Sequence, residues 1–316
     1  MSLLDVSDLK VHFGTQRRLF AAQRDPIRAV DGVSFSLGPR ETLSIVGESG
    51  CGKSTLGNAV LGFVGATSGR IALESKDVAS FDHPILNDIQ VIFQDPSSAL
   101  NPRMRIGASI EEPLRARGVD RATRRAKAMS LLKLVGFPPE FYSRFPNQLS
   151  GGQRQRVVIA RALSVEPKVI VCDEPVSALD VSIRAQILNL LVDLQARLGV
   201  SYIFISHDMA SVRFMSDRVA VMYLGRIVEE GPGKVVLDNP QHPYTKALLS
   251  AVLLPDPELQ RTREKIVLQG ELPSQAGERV GCSFAGRCPL RGEECLKIDP
   301  QLRPFGDGRQ VACLRV

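Results

Sequence analysis

Several kinds of residue and pattern are scarce or missing in this chain of 316 residues. It has no tryptophan, its aromatic residues amount to 5%, and no apolar run approaches the roughly 20 residues that a membrane-spanning helix requires. The opening residues, MSLLDVSDLKVHF, carry Asp5 and Asp8 where a secretory leader would carry basic residues and then an apolar stretch. We therefore expect a soluble, cytoplasmic protein without a membrane-spanning segment.

Repeats and low-complexity tracts are also lacking, and six cysteines are too few for a miniprotein stapled by disulfides. The length and the 44% of hydrophobic residues are enough for one large domain or two unequal ones. The net charge of +6 would suit an anionic ligand, an acidic lipid or nucleic acid. Because the basic residues are spread along the chain, charge selects none of these partners.

Short apolar runs alternate with helical patterns over residues 30–235. Residues 43–48, LSIVGE, predict a short buried strand that runs into a glycine-rich turn. The runs at residues 169–172 and 202–205 are continuous, which is typical of parallel strands covered on both faces. Residues 53–63 have the apolar spacing of a helix. The pattern predicts an α/β fold.

Two stretches depart from this alternation. Residues 115–135 have a helical pattern throughout. We interpret the longer stretch that contains them, residues 98–161, as a helical subdomain inserted into the α/β core. Beyond Pro240, frequent prolines break the chain into loops and short elements. We expect one domain over residues 1–250 and an extension over residues 251–316.

A glycine-rich loop follows the first buried run. Residues 47–54, GESGCGKS, fit G-x-x-x-x-G-K-[ST], whose backbone N–H groups hold phosphates at a helix N-terminus. The lysine of such a loop reaches the β- and γ-phosphates, and its serine binds Mg²⁺. The alternative is a plain glycine turn. The pattern predicts a nucleotide site at Gly47, Ser49, Gly50, Cys51, Gly52, Lys53 and Ser54, with Cys51 contributing only its backbone.

Acidic residues follow the second buried run. Asp173 and Glu174 would lie at the carboxyl edge of a parallel sheet, where ligands of such sheets bind. An aspartate there holds Mg²⁺, and a neighbouring carboxylate can polarise the attacking water, although the pair could instead cap the next element. Residues 149–153, LSGGQ, form a second potential anion-binding turn at the start of a helix.

The order of these motifs resembles that of the ATP-binding subunits of ABC transporters. The resemblance covers residues 1 to about 250 and adds Gln94 in VIFQDP, a loop at residues 177–180 ending in Asp180, and His207 after the third apolar run. It implies an ABC-type P-loop ATPase that uses ATP and Mg²⁺. Glu174 would be the general base, His207 would contact the γ-phosphate, and Gln94 would sense Mg²⁺ and the attacking water.

The remaining nucleotide contacts are implied by the same resemblance. Thr55 would join Lys53 and Ser54 on phosphate and Mg²⁺. Ser54, Gln94 and Asp173 would be the metal-site residues, with Asp173 holding Mg²⁺ through water. A second turn would close over ATP bound to the opposite subunit, with Asp180 beside it. This turn consists of Ser150, Gly151, Gly152 and Gln153. Phe13 is the best match to the aromatic residue that stacks on adenine. Phe20 and a core role for Phe13 remain alternatives.

Four cysteines crowd the end of the chain: Cys282, Cys288, Cys295 and Cys313. Their spacing, C-x5-C-x6-C-x17-C, lacks the C-x2-C pairs of a zinc ribbon, and four thiolates can hold either zinc or a [4Fe-4S] cluster. This tail, with residues 242–249 and 270–274, resembles the C-terminal extension of oligopeptide and dipeptide importer ATPases. The resemblance implies a [4Fe-4S] cluster, with zinc or free thiols as alternatives.

The two resemblances together predict an importer ATPase on the cytoplasmic face of the inner membrane. Its expected partners are a second homologous ATPase in a heterodimer, two transmembrane permease subunits and an extracytoplasmic substrate-binding protein. Alternatives are a soluble ABC ATPase acting on nucleic acid or the ribosome, a redox-sensing regulator, and an importer of nickel or glutathione. We expect no nucleic acid, because no aromatic residue is interleaved with the basic helix around Arg121.

Overall fold

The computed structural model describes residues 2–14, 25–78, 88–251, 266, 273, 275–277 and 280–316. The strands are β1 (Leu4–Phe13), β2 (Ile27–Leu37), β3 (Thr42–Val46), β4 (Ser68–Leu73), β5 (Lys76–Asp77), β6 (Ile89–Ile92), β7 (Val169–Asp173), β8 (Ser201–Ile205), β9 (Arg218–Tyr223), β10 (Arg226–Pro232), β11 (Arg303–Gly306) and β12 (Arg309–Val311). The helices are α1 (Lys53–Val60), α2 (Pro96–Ala99), α3 (Ile106–Ala116), α4 (Arg121–Leu134), α5 (Gly151–Leu163), α6 (Val181–Leu198), α7 (Met209–Met215), α8 (Gly233–Asp238) and α9 (Pro243–Ser250).

Two sheets organise these elements. The larger sheet has the order β11-β12-β10-β9-β3-β8-β7-β6, and its strands from β9 to β6 are parallel. The smaller sheet is antiparallel, with the order β2-β1-β4-β5. The parallel strands confirm the α/β class that the continuous apolar runs predict.

Each parallel strand contributes to two hydrophobic cores. Along β7, Ile170 and Cys172 face the core that the helical layer covers, and Val169 and Val171 face the core shared with the antiparallel sheet. Because successive side chains of a strand point to opposite faces, a strand covered on both faces needs an apolar residue at every position. This requirement explains the unbroken run.

The segment between β6 and β7 is mainly helical and contains α2, α3, α4 and α5. The prediction of helix throughout residues 115–135 is wrong at one point, because α3 ends at Ala116 and α4 begins at Arg121. Gly118 adopts a left-handed backbone with φ +73° in the connecting turn, and Asp120 caps α4 by accepting from the N–H groups of Ala122 and Thr123.

The end of the chain joins the larger sheet. Strand β12 pairs with β10, with Glu229 opposite Val311, and β11 forms the outer edge. The described residues beyond 250 therefore share a sheet with those before it, and the boundary near residue 250 stays a prediction. Among the helices that the structure describes, none has the length and apolar character required to cross a membrane.

Candidate functional site

The glycine-rich loop lies between β3, which ends at Val46, and α1, which begins at Lys53. Two of its glycines leave no room for a side chain. A Cβ at Gly47 would lie 2.2 Å from the carbonyl oxygen of Met222, and one at Gly52 would lie 2.1 Å from that of Ala29. The loop is therefore clamped between the backbones of neighbouring segments, with its N–H groups at the start of α1, where an anion is favoured.

Lys53 lies inside the curve of this loop. Its Nζ donates to the carbonyl oxygens of Gly47 at 2.8 Å and Glu48 at 2.9 Å. Cys51 is fully buried, and burial raises the pKa of its thiol, which keeps it neutral. Its carbonyl oxygen accepts from the N–H of Gly225 at 2.7 Å, and its predicted backbone role toward phosphate stays a prediction.

Two oxygen donors meet beside the loop. The Ser54 hydroxyl donates to Asp173 Oδ1 at 3.1 Å, which joins the start of α1 to the end of β7. Burial raises the pKa of Asp173, the nearby charge of Glu174 adds to this, and the bond from Ser54 lowers it. A hydroxyl and one carboxylate fit Mg²⁺, which in nucleotide sites takes few protein ligands and completes its shell with phosphates and water.

Glu174 and His207 form a second pair at the same sheet edge. His207 Nδ1 lies 2.9 Å from Glu174 Oε1, and the Glu174 N–H donates to the carbonyl oxygen of Ile205 at 2.9 Å. The Glu174 backbone has φ +48°, a conformation that side chains rarely adopt and that concentrates at functional sites. The arrangement directs a carboxylate toward the loop and orients it by an imidazole.

These groups surround a cleft of about 490 Å³, a volume in the range of small-molecule sites. Its lining residues are Ala29, Gly47, Glu48, Ser49, Gly50, Gly52, Lys53, Ser54, Thr55, Glu174, His207, Leu248 and Gln275. The cleft thus brings together most of the predicted loop with Glu174 and His207. Gln94 and Asp173 are not among the described lining residues, although Asp173 contacts Ser54.

Four of the lining residues were missed by sequence reasoning: Ala29, Glu48, Leu248 and Gln275. Glu48 occupies a variable position of the loop pattern, so nothing in the pattern marks it. Gln275 lies 225 residues from Gly50, whose carbonyl oxygen accepts from its Nε2 at 2.7 Å. Only tertiary folding brings this residue to the site.

The signature turn at the start of α5 has a local hydrogen-bond pattern. Ser150 Oγ accepts from the Gln153 N–H, and Gln153 Oε1 accepts from the Ser150 N–H. A Cβ at Gly152 would lie 2.3 Å from Ile183 Cγ2, so the turn packs closely on α6, which Asp180 caps. Among the described residues that line the cleft, none belongs to this turn.

Phe13 ends β1 opposite Ile27 of β2, and its side chain is 43% exposed. This exposure argues against the alternative in which Phe13 is a core residue. The other aromatic candidate, Phe20, lies outside the described residues.

The four C-terminal cysteines are all described, and all are free. Burial raises the pKa of Cys282 to about 11, and the thiols of Cys295, Cys313 and Cys288 are near enough to add to this rise. Nevertheless, no three His, Cys, Asp or Glu side chains in the described ranges are arranged to hold a metal ion. The thiols are neighbours that do not converge on one point, and the predicted [4Fe-4S] cluster finds no support in this geometry.

Comparison with protein-family models gives two matches. Residues 30–177 match the ABC transporter family, and residues 228–295 match the oligopeptide/dipeptide transporter C-terminal region.

Three relatives align over nearly the whole chain. The oligopeptide transport ATP-binding protein OppF of Salmonella typhimurium is 50% identical, with 99% of this chain and 96% of that protein aligned. The dipeptide transport ATP-binding protein DppF of Escherichia coli is 47% identical over 99% and 94% of the two chains. The di/tripeptide transport ATP-binding protein DppF of Pseudomonas aeruginosa is 47% identical over 99% and 97%.

Solved structures share the fold. CbiO1 of Clostridium perfringens, part of an ABC transporter complex, superposes with a TM-score of 0.65 at 28% identity, covering 75% of this chain and 91% of that one. The ATP-binding cassette MJ0796, solved as a dimer with ADP and phosphate, gives a TM-score of 0.62 at 28% identity over 72% and 98%. These neighbours confirm the P-loop fold of an ABC ATPase.

Proposed function

Because the chain belongs to the family of oligopeptide and dipeptide transport ATP-binding proteins, and is an ABC-type ATPase, we propose that it powers the uptake of short peptides. The observation that carries the ATPase part of this proposal is the cleft lined by Lys53 and the Glu174–His207 pair, with Asp173 bound to Ser54 beside it. The peptide names of the three relatives favour this cargo over nickel or glutathione, and over nucleic acid or the ribosome.

The residues predicted to bind nucleotide each have a task in the ATP hydrolysis that we propose. The loop N–H groups and Lys53 would hold the phosphates, and Ser54 with Asp173 would hold Mg²⁺, which neutralises phosphate charge. Glu174 would accept a proton from the attacking water, while His207 fixes its carboxylate through the 2.9 Å contact. Phe13 would stack on adenine, and Gln94 would approach Mg²⁺ and the water from the end of β6.

The signature turn supports a dimeric mechanism. Because the turn lies at a helix N-terminus but does not line its own chain's cleft, its N–H groups suit the phosphates of ATP held by another ATPase subunit. We propose that this subunit is a second, homologous chain and that Asp180 lies at the contact between the two. We also propose that the mainly helical segment 98–161 forms a subdomain that docks on two permease subunits.

We place the assembly on the cytoplasmic face of the membrane, with an extracytoplasmic binding protein delivering the peptide. The four C-terminal cysteines stand apart from this chemistry, since no step of the hydrolysis assigned to Glu174 passes through a thiol.

The assignment of Glu174 is tested by Glu174→Gln in the assembled importer. We expect ATP turnover to fall by about 100-fold or more, because a glutamine cannot accept the proton, while MgATP binding is retained. The matched control is Glu166→Gln, which also neutralises a glutamate with a left-handed backbone, at φ +55°, but in an exposed ion pair with Lys127. Unchanged turnover in Glu174→Gln would remove this residue as the base.

The cargo is tested separately, by reconstituting the importer with its binding protein. Di- and oligopeptides should stimulate ATP turnover and accumulate in the vesicles. Stimulation by nickel or glutathione alone would contradict the peptide assignment while leaving the ATPase intact.

A further inference from the structure

The glycine-rich loop carries an acidic residue that lines the cleft. Glu48 is the second residue of the loop and lines the cleft, with its side chain 29% exposed. A carboxylate on a residue that lines this cleft opposes phosphate binding, because like charges repel in a partly desolvated site. A loop that binds a triphosphate therefore needs this charge to be compensated.

The compensating charge comes from the far end of the chain. Arg287 Nη1 donates to Glu48 Oε2 at 2.8 Å, and Nη2 donates to Glu48 Oε1 at 3.2 Å. This two-point geometry is the strong form of an arginine–carboxylate pair, and the Arg287 side chain is only 9% exposed. Arg287 immediately precedes Cys288, so the cysteine-bearing segment is tied directly to the loop.

Two further side chains from later in the sequence contact the same loop. Tyr244, which is fully buried in α9, accepts from the Glu48 N–H through its hydroxyl at 2.8 Å. Gln275 donates to the Gly50 carbonyl oxygen, and the carbonyl oxygen of Gln275 accepts from the Arg28 N–H at 2.9 Å. The loop is thus supported by residues that follow the parallel core in sequence.

We propose that Arg287 is a positioning residue for ATP binding, which holds the Glu48 carboxylate and cancels its charge so that the loop accepts phosphate. The inference rests on the proposed function, because it takes the loop to be the phosphate site. Arg287 acts through Glu48 and is not itself a catalytic residue.

The test measures MgATP and adenosine binding to the full-length chain by calorimetry. In Arg287→Met, we expect MgATP to bind about tenfold more weakly and adenosine to bind as in the wild type, because only the phosphates meet the exposed charge. Raising NaCl from about 50 to about 500 mM should shrink the MgATP deficit, since salt screens the uncovered Glu48. A purely structural role would weaken both ligands alike and would not respond to salt in this way.

The double variant Glu48→Gln/Arg287→Met separates charge from shape. It should recover MgATP affinity to within about threefold of the wild type, because both charges are gone. Glu48→Gln alone should bind MgATP at least as tightly as the wild type. This measurement tests the proposal even if Arg287→Met does not fold. Failure of the double variant to recover, or weaker binding by Glu48→Gln, would overturn the proposal.

The matched control is Arg315→Met. It breaks the Arg315–Glu294 pair, whose N–O distance of 2.9 Å resembles that of Arg287 with Glu48 but which lies within the C-terminal segment. MgATP affinity should stay at the wild-type value. If the wild-type chain bound no MgATP, the proposed function would fail; if wild type and Arg287→Met bound it equally, only this inference would fail.

Discussion

At the scale of single residues, Gly52 shows how little freedom the phosphate loop has. Its backbone has φ +109°, and the position of a Cβ is occupied by the carbonyl oxygen of Ala29. The residue therefore meets two separate constraints, one on its dihedral angle and one on space, and only glycine satisfies both. The close approach fixes the backbone of the loop immediately before Lys53, where α1 begins.

We predict that Gly52→Ala abolishes MgATP binding and lowers the free energy of unfolding by about 2 to 4 kcal/mol, because the loop must move away from Ala29. Calorimetry and urea unfolding measure the two effects. The control is Gly118→Ala, where φ is +73° but no atom lies within 4 Å of the added Cβ. It should cost about 1 kcal/mol and leave MgATP binding unchanged. Equal effects of the two variants would contradict the steric explanation.

The residues of the loop, Glu174 and His207 could be predicted from sequence because each belongs to a short motif whose chemistry is local. Arg287 and Gln275 could not, because their roles depend on contacts with residues more than 200 positions away. Arginine and glutamine side chains are also common on protein surfaces. Nothing in the sequence distinguishes an arginine that compensates Glu48 from one that faces water.

At the scale of elements, helix α9 depends on an unusual cap. His242 precedes the helix, and its Nδ1 accepts from the Tyr244 N–H at 3.1 Å, so this nitrogen must be unprotonated. Burial lowers the pKa of His242 to about 4, against a weaker raising effect of its hydrogen bond to the Ala312 backbone. A proton on Nδ1 would remove the cap and place a charge in the core.

This cap predicts a loss of stability in mild acid. The folded pKa of His242 lies below the ordinary value of about 6.5. The contribution of the neutral histidine to the free energy of unfolding is therefore complete above pH 6.5 and is lost as the pH falls toward 4. At pH 5 the loss is about 2 kcal/mol relative to pH 8.

His242→Asn, which retains a capping acceptor, should reduce the difference between urea unfolding at pH 8 and at pH 5 by about this amount. Ser150→Asn, which exchanges the cap of α5 for another capping residue without changing a titrating group, is the control and should keep the wild-type difference. An unaltered pH difference in His242→Asn would rule out this cap as the acid-sensitive group.

The kinds of elements were predictable, but their ends and breaks were less so. The apolar runs predicted β3, β7 and β8 to within two residues at each end, because strands covered on both faces leave an unbroken pattern. The break between α3 and α4 was missed, because Gly118 and Asp120 form a turn inside a charge-rich stretch whose apolar spacing continues beyond it.

At the scale of the whole molecule, one buried carboxylate joins the two sheets. Asp31 of β2 contacts His12 Nε2 of β1 at 3.1 Å and Arg226 Nη2 of β10 at 3.1 Å, and Arg226 also pairs with Asp299. Burial alone would raise the pKa of Asp31, but the hydrogen bond and charge of Arg226, together with His12 and Arg28, hold it below its ordinary value. The antiparallel sheet, the main sheet and the C-terminal segment therefore share one charge network.

We predict that Arg226→Met lowers the free energy of unfolding by about 2 kcal/mol at pH 7, because it leaves Asp31 buried with weaker partners. The cost is below that of a fully buried pair, since Arg226 is 27% exposed. The control is Arg70→Met, which breaks an exposed pair with Asp77 and should cost less than about 0.5 kcal/mol. Similar losses in both variants would argue against the network.

The pairing of β12 with β10 has a consequence for the protein's synthesis. The phosphate loop is complete once residue 54 has been made, but Arg287, which pairs with Glu48, lies 239 residues beyond Glu48, and β12 follows later still. At ordinary elongation rates, the loop waits on the order of tens of seconds before its last support leaves the ribosome. We therefore expect nascent chains to bind MgATP poorly until Arg287 and β12 have been made and have folded onto the earlier part of the chain.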